Sequence, residues 1–188
     1  IAYPTGSALA SSWDPALLFS VGQALAEDCI KEEVSVLLGP AVNHKRDPLC
    51  GRNFEYYSED PLLSADLGTA MVQGIQSKGV GACVKHFACN SQEDARFFSD
   101  SIVDERALRE IYLRQFEAIV RRAQPWMVMT AYNKLNGTHC TENSRLMTDI
   151  ARREWGYEGL FVTHWSAMRD QLAAYRAGLD LEMPGTVG

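Results

Sequence analysis

Four short runs place chemically capable side chains where an apolar pattern stops: Gly51-Arg52-Asn53-Phe54-Glu55, Lys85-His86-Phe87, Ala131-Tyr132-Asn133 and Thr163-His164-Trp165. The planar guanidinium of Arg52 offers two-pronged hydrogen bonding to vicinal hydroxyls or to a carboxylate. Pairing with Glu55 or Glu59 to pin its own loop is the plainer use of the same residue. Lys85 and His86 end a strand, where neighbouring side chains point to opposite faces, so one is expected to project into a site and the other to need its own partner. A buried, unpaired ammonium is costly, so Lys85 is harder to explain as filler than a lone core histidine. Tyr132 reads as a core cap or a hydrogen-bond donor. Trp165 reads as core or as a platform for the apolar face of a sugar ring. Polar groups converging from several strand ends suit a small polar ligand such as a sugar.

The elements that must carry these runs alternate between apolar strands and periodic helices. Asp14-Pro15 is a helix start, with aspartate as N-cap and proline at the first helical position, and the helix runs to about Glu32. Val34 to Leu38 follows as an apolar strand closed by Gly39-Pro40. A long loop from Ala41 to Asp60, rich in charge and aromatics, is expected to be ordered and functional. Further helices are expected over Pro61–Ser77, Asp104–Arg122, Ser144–Trp155 and Ala167–Ala177, the second with Leu108, Ile111, Tyr112, Phe116, Ile119 and Val120 at helical spacing. Further strands are expected over Ala82–Phe87, Trp126–Ala131, Leu160–Thr163 and Leu179–Met183. About five βα units with short apolar strands imply an α/β fold with a parallel sheet. Chemistry gathered at several strand ends favours a (β/α)8 barrel of the TIM type over a doubly wound sheet, but an incomplete one, since the barrel needs eight strands.

Composition narrows the partners. A net charge of -6 supplies no basic footprint, so no nucleic acid is expected, and the arginines at 106, 109, 114, 121 and 122 fall along one helix as a solvated face. No apolar run approaches the roughly 20 residues of a membrane span. Five cysteines without a CxxC pair read as free thiols of a reducing compartment, hence a cytoplasmic location. No signal peptide is read, and because the chain opens on Ile1 the natural N-terminus is expected to lie upstream. His44, His86, His139 and His164 lack the spacing of a metal set, and no phosphate cradle, GxSxG elbow or HExxH is present, so neither metal nor cofactor is expected.

In this order, the runs resemble glycoside hydrolase family 3, the retaining β-glucosidases and related exo-acting enzymes. The matching stretches are Leu38-Gly39-Pro40-Ala41-Val42-Asn43, the segment from Pro48 through Gly51-Arg52-Asn53-Phe54-Glu55 to Pro61, and Val84-Lys85-His86-Phe87-Ala88-Cys89-Asn90. Asp104-Glu105-Arg106, Ala131 to Gly137 and Leu181-Glu182-Met183-Pro184-Gly185 complete the series. The resemblance implies that residues 1–188 are part of an N-terminal barrel domain, with its first strands and a C-terminal sandwich domain outside the chain. It implies a small-molecule sugar or β-glucoside as ligand, with Arg52, Lys85, His86 and Trp165 holding it and Tyr132 orienting the nucleophile. The family's nucleophile is an aspartate in a Ser-Asp-Trp-Gly strand end, and the aligned run here is Thr163-His164-Trp165-Ser166. His164 therefore stands at the nucleophile position. The family's Asp-Gly-Pro motif and its acid/base glutamate fall outside the chain. Asp170, the nearest downstream carboxylate, is expected inside the next helix and is a poor substitute. Two outcomes follow: a β-glucosidase of doubtful turnover, or an inactive sugar-binding or structural subunit. A third outcome is that a complementary chain or a homo-oligomer completes the barrel and supplies the acid/base.

Overall fold

The computed structural model describes residues 2–185, so Ile1 and Gly188, on which the reading of the chain's ends rested, lie outside the described residues. Its centre is a parallel sheet of β1 (Val36–Leu37), β2 (Gly81–Phe87), β4 (Met127–Thr130) and β7 (Leu160–Val162), in that order across the sheet. The expected fifth strand is reduced to one parallel bridge, Val162 to Leu181, so its 179–183 span is an overestimate. A small second sheet, which the sequence did not suggest, joins β3 (Asp100–Ser101), β5 (Lys134–Leu135) and β6 (Thr138–His139).

Helices connect the strands. α1 (Gly6–Ala10) is short; α2 (Pro15–Lys31) and α3 (Pro61–Gln76) start on the aspartate–proline pairs at 14–15 and 60–61, each aspartate side chain accepting from first-turn N–H groups. The two pack so closely that a Cβ on Gly74 would collide with the Phe19 carbonyl oxygen, and one on Gly22 would lie 2.7 Å from that of Met71. The long helix expected from Asp104 is composite: α4 (Glu105–Ala107), a π-turn over Leu108–Tyr112 and α5 (Arg114–Ala123). The helix over Arg145–Glu154 is also wound as π. α6 spans Gln171–Ala177, four residues later than expected at its start, because Asp170 is its N-cap, accepting from Ala173 N–H. Asp170 is thus committed to a helix end and not inside a helix.

The sheet's two faces differ. Ala82, Val84, Val128 and Phe161 pack into the large core with Leu67, Val72, Ile75, Phe116, Ile119 and Ile150 from the helices. The opposite face carries Cys83, Met129 and Val162, flanked by Val36, Leu38, Met127 and Met183. Helices thus cover one face, as in a barrel wall; a doubly wound sheet has them on both. All five cysteines are free and buried. Among the described residues no helix is long and apolar enough to cross a membrane.

Candidate functional site: a cationic cluster at the strand ends

The carboxyl ends of β2, β4 and β7 meet the 41–60 loop, and every site residue expected from the sequence gathers near this end. Ser7 ties α1 to that loop, its N–H donating to Phe54 O (3.1 Å) and its hydroxyl to Asn53 O (2.7 Å). The loop delivers Arg52 and Glu55. The Arg52 Nε–H donates to the Glu55 carboxylate in a short ion pair, so the plainer reading of Arg52 is correct as far as it goes. Its Nη1, however, also reaches His164 Nε2 at 3.1 Å, which loop pinning does not require. The second Glu55 oxygen lies 3.3 Å from Lys85 Nζ. One carboxylate therefore holds two cations, all three side chains being less than a fifth exposed.

Lys85 and His86 do not split between two faces as simple alternation requires. The ladder to β4 shifts register between Lys85 and Phe87, so Lys85 pairs with Met129 and Phe87 with Thr130 while His86 is passed over. Asn43 holds the bypassed residue instead: its Nδ2–H donates to His86 O (2.9 Å) and its Oδ1 accepts from His86 N–H (2.7 Å). The His86 ring is fully buried and lies parallel to His164, centroids 4.8 Å apart. Both residues therefore belong to one cluster.

His164 is sandwiched. Tyr132 stacks on its other face, with centroids 3.9 Å apart, and the Trp165 backbone N–H donates to its Nδ1 at 2.7 Å. Burial, followed by the charges of Arg52, Arg96 and Lys85, brings the His164 pKa down to about 3, so the ring is neutral at pH 7. His86 is driven well below the ordinary histidine value, first by burial and then by Arg52. Burial raises the Tyr132 phenol, which stays protonated. Trp165, 54% exposed, presents its indole at the rim and is not core.

Several participants were not singled out from the sequence. Arg96 lies over the Tyr132 ring at 4.3 Å and donates to Glu93 at 2.7 Å. Asn90 Nδ2–H donates to the other Glu93 oxygen (3.1 Å) and to the Tyr56 hydroxyl (3.2 Å), which contacts His86 Nδ1 at 3.2 Å. The available signal was the Glu93–Arg96 spacing immediately after the Lys-His strand end.

The site is a basic, donor-rich, aromatic-flanked cluster at the carboxyl end of a partial α/β barrel, the place where such folds carry chemistry on small polar molecules. A family model for the glycosyl hydrolase family 3 N terminal domain matches residues 2–184, and the chain belongs to that family. A thermostable beta-glucosidase B from Acetivibrio thermocellus is 55% identical over 99% of the chain and 25% of its own length. An exo-alpha-(1->6)-L-arabinopyranosidase from Bifidobacterium breve is 52% identical over 97% of the chain and 24% of its length. The structure of beta-glucosidase 3B from Thermotoga neapolitana in complex with alpha-D-glucose superposes with a TM-score of 0.97 at 53% identity, covering 98% of this chain and 26% of that one. The chain spans about a quarter of the length of these relatives. Its partial TIM-barrel-like fold is that of the family.

Proposed function

We propose that the strand-end cluster is the sugar-holding part of a β-glucosidase-type site, with Arg52, Lys85, His86, Arg96 and Trp165 gripping a terminal sugar and His164 standing where hydrolysis needs a carboxylate. One observation carries this reading: both ring nitrogens of His164 face N–H donors. Trp165 N–H donates to Nδ1, so the single proton of the neutral ring sits on Nε2 and points at the Arg52 guanidinium 3.1 Å away. A carboxylate has lone pairs for both donors; a neutral imidazole serves only one. The surroundings of position 164 are those of an aspartate. The relatives, by name β-glucosidases and an arabinopyranosidase, support a glycoside as substrate class, and the glucose held by the Thermotoga structure supports a sugar ligand.

Retaining hydrolysis requires two carboxyl groups about 5–5.5 Å apart, one forming a glycosyl–enzyme bond and countering an oxocarbenium-like centre. Neutral His164 supplies no negative charge, and its ring occupies the gap between Tyr132 and His86. The chain binds sugar and turns it over poorly. Five free thiols support a reducing compartment.

The test uses dinitrophenyl β-glucoside and its α-L-arabinopyranoside counterpart, whose leaving groups depart without protonation and so bypass the acid/base residue. Wild type should release almost no dinitrophenolate. His164→Asp should release it faster by about two to three orders of magnitude, the scale of one electrostatic group of roughly 3–4 kcal/mol. Vigorous wild-type turnover would show that position 164 is not the nucleophile position.

A further inference from the structure

The backbone polar groups of Lys85 and His86 each find a partner in residues 40–43. Lys85 N–H donates to Pro40 O (3.0 Å), and Val42 N–H donates to Lys85 O (2.8 Å). His86 N–H donates to Asn43 Oδ1 (2.7 Å), and Asn43 Nδ2–H donates to His86 O (2.9 Å). A primary amide carries the same donor and acceptor as a peptide unit, so the Asn43 side chain continues the pairing where the main chain of 40–42 stops. The partner beyond β4 takes over at Phe87, whose carbonyl accepts from Ala131 N–H at 2.8 Å. Asn43 is 1% exposed and His86 0%, so both amide bonds lie out of water, and both are made within this chain.

This clamp decides where two side chains go. On an unbroken strand Lys85 and His86 would point to opposite faces. Here Lys85 Nζ lies 3.3 Å from Glu55, Glu55 also holds Arg52, and Arg52 reaches His164 at 3.1 Å. The His86 ring stacks on His164, with centroids 4.8 Å apart. Both side chains therefore meet one cluster. Asn43 permits it by giving His86 the partners that the shifted β2–β4 ladder withholds. Satisfying two buried backbone groups already contributes to folding. The geometry goes further, because the residue so fixed is one that enters the site.

We propose that Asn43 is a positioning residue of the sugar site, acting on the ligand through the backbone from which Lys85 and His86 reach it. The proposal rests on the reading of the cluster as a sugar site and adds a residue that works through others.

Calorimetric titration with D-glucose, on the full chain and on Asn43→Asp and Asn43→Leu, at about pH 7.5 and about pH 4.5, tests it. Leucine keeps roughly the volume and makes neither bond. A carboxylate accepts from His86 N–H but cannot donate to His86 O, whereas the protonated acid does both. Burial and that donation favour the acid, so its pKa in the folded variant lies above the ordinary aspartate value of about 3.9. His164, with a pKa of about 3, and His86, held well below the ordinary histidine value, stay neutral over this range, so wild-type affinity should change little.

At about pH 7.5 both variants should bind glucose about tenfold or more weakly than wild type, the scale on which a site displaced by about 1 Å loses function. At about pH 4.5 the aspartate variant should recover to within about threefold of wild type, and the leucine variant should not. A clamp that serves folding alone would lower the urea midpoint and leave the dissociation constant of the folded variants at the wild-type value. That result overturns the proposal and leaves the sugar site standing. If the leucine variant does not fold, the aspartate variant, prepared at about pH 4.5 and followed upward while it remains folded, gives the same test. An aspartate variant unfolded even at about pH 4.5 overturns the premise that an acid replaces the amide, and the proposal with it. Absence of glucose binding by wild type overturns the sugar reading, and the proposal falls with that reading.

Discussion

Replacing His164 by aspartate should stabilise the protein, although packed positions usually resist substitution. In the wild-type protein the Arg52 Nη1 donor faces another N–H at 3.1 Å, and leaving a buried donor without an acceptor costs about 1–3 kcal/mol. A carboxylate at that point would accept from both Arg52 and the Trp165 N–H. Its attraction to one guanidinium, at 3–4 Å and an effective dielectric constant near 20, is about 4–5 kcal/mol. Against this stand several kcal/mol for desolvating the new charge, and about 1 kcal/mol for each of the two ring stackings, on Tyr132 and on His86, that an aspartate cannot make. The balance favours the variant by about 1–2 kcal/mol at pH 7. Three nearby cations hold the new carboxyl below the ordinary aspartate range. The folded state therefore binds fewer protons than the unfolded one, whose aspartate titrates near 3.9. The gain is complete above that value and disappears as pH falls through the lower folded value. Urea unfolding at pH 7 and at successively lower pH measures it. A variant less stable than wild type by more than about 1 kcal/mol at pH 7, with an unchanged denaturant slope, would refute the donor–donor reasoning.

Three other outcomes are expected. Wild-type stability should decline on acidification, because the His164 pKa is about 3 in the folded protein and near 6.5 unfolded: the contribution is present above about 6.5 and is lost as pH falls to about 3. Discounted for partial solvent access this amounts to about 2–3 kcal/mol, and His164→Gln should flatten that part of a denaturation–pH profile. Glu55→Gln keeps the shape but leaves Arg52 and Lys85 without their shared counter-charge, so a loss of about 1–3 kcal/mol in thermal unfolding and a looser grip on any sugar are expected. Gly74→Ala places a methyl group against the Phe19 carbonyl and should cost about 1–3 kcal/mol or more in urea unfolding, with α2 and α3 forced apart.

The sequence spoke most clearly where one local cause acts alone. Asp14-Pro15 and Asp60-Pro61 start helices because an aspartate cap and a proline need no tertiary help. Asp170 caps α6 by the same chemistry, but the apolar pattern upstream of it masked the signal. α1 and the two-residue strands of the small sheet are too short for any period to register. Winding as π over Leu108–Tyr112 and Arg145–Glu154 leaves no mark in a pattern that tolerates 3.6 or 4 residues per turn. In the site, Lys85, His86, Tyr132 and His164 could be found because each follows or interrupts an apolar run, and Arg52 because its long loop is rich in charge and aromatics. Arg96 had only its spacing from Glu93 as a signal, since it lies in an aperiodic segment and its contact with Tyr132 exists only once β2 and β4 lie side by side.

Neighbours, more than residue type, decide what the two histidines can do. A histidine that shuttles protons near neutrality needs a pKa close to the working pH. Burial and three cations hold both rings far below it, so neither stores a proton that it could donate at pH 7 without generating an anionic imidazole. Neither can counter a developing positive charge, since both are neutral and lie among cations. What remains to each is one N–H and one lone pair, shared in His86 with the Tyr56 hydroxyl and fixed in His164 by the Trp165 backbone N–H. Beside Arg52 and Lys85, such groups recognise hydroxyls and lone pairs. That is the chemistry of binding, and on the proposed reading a single change at position 164 would separate recognition from turnover.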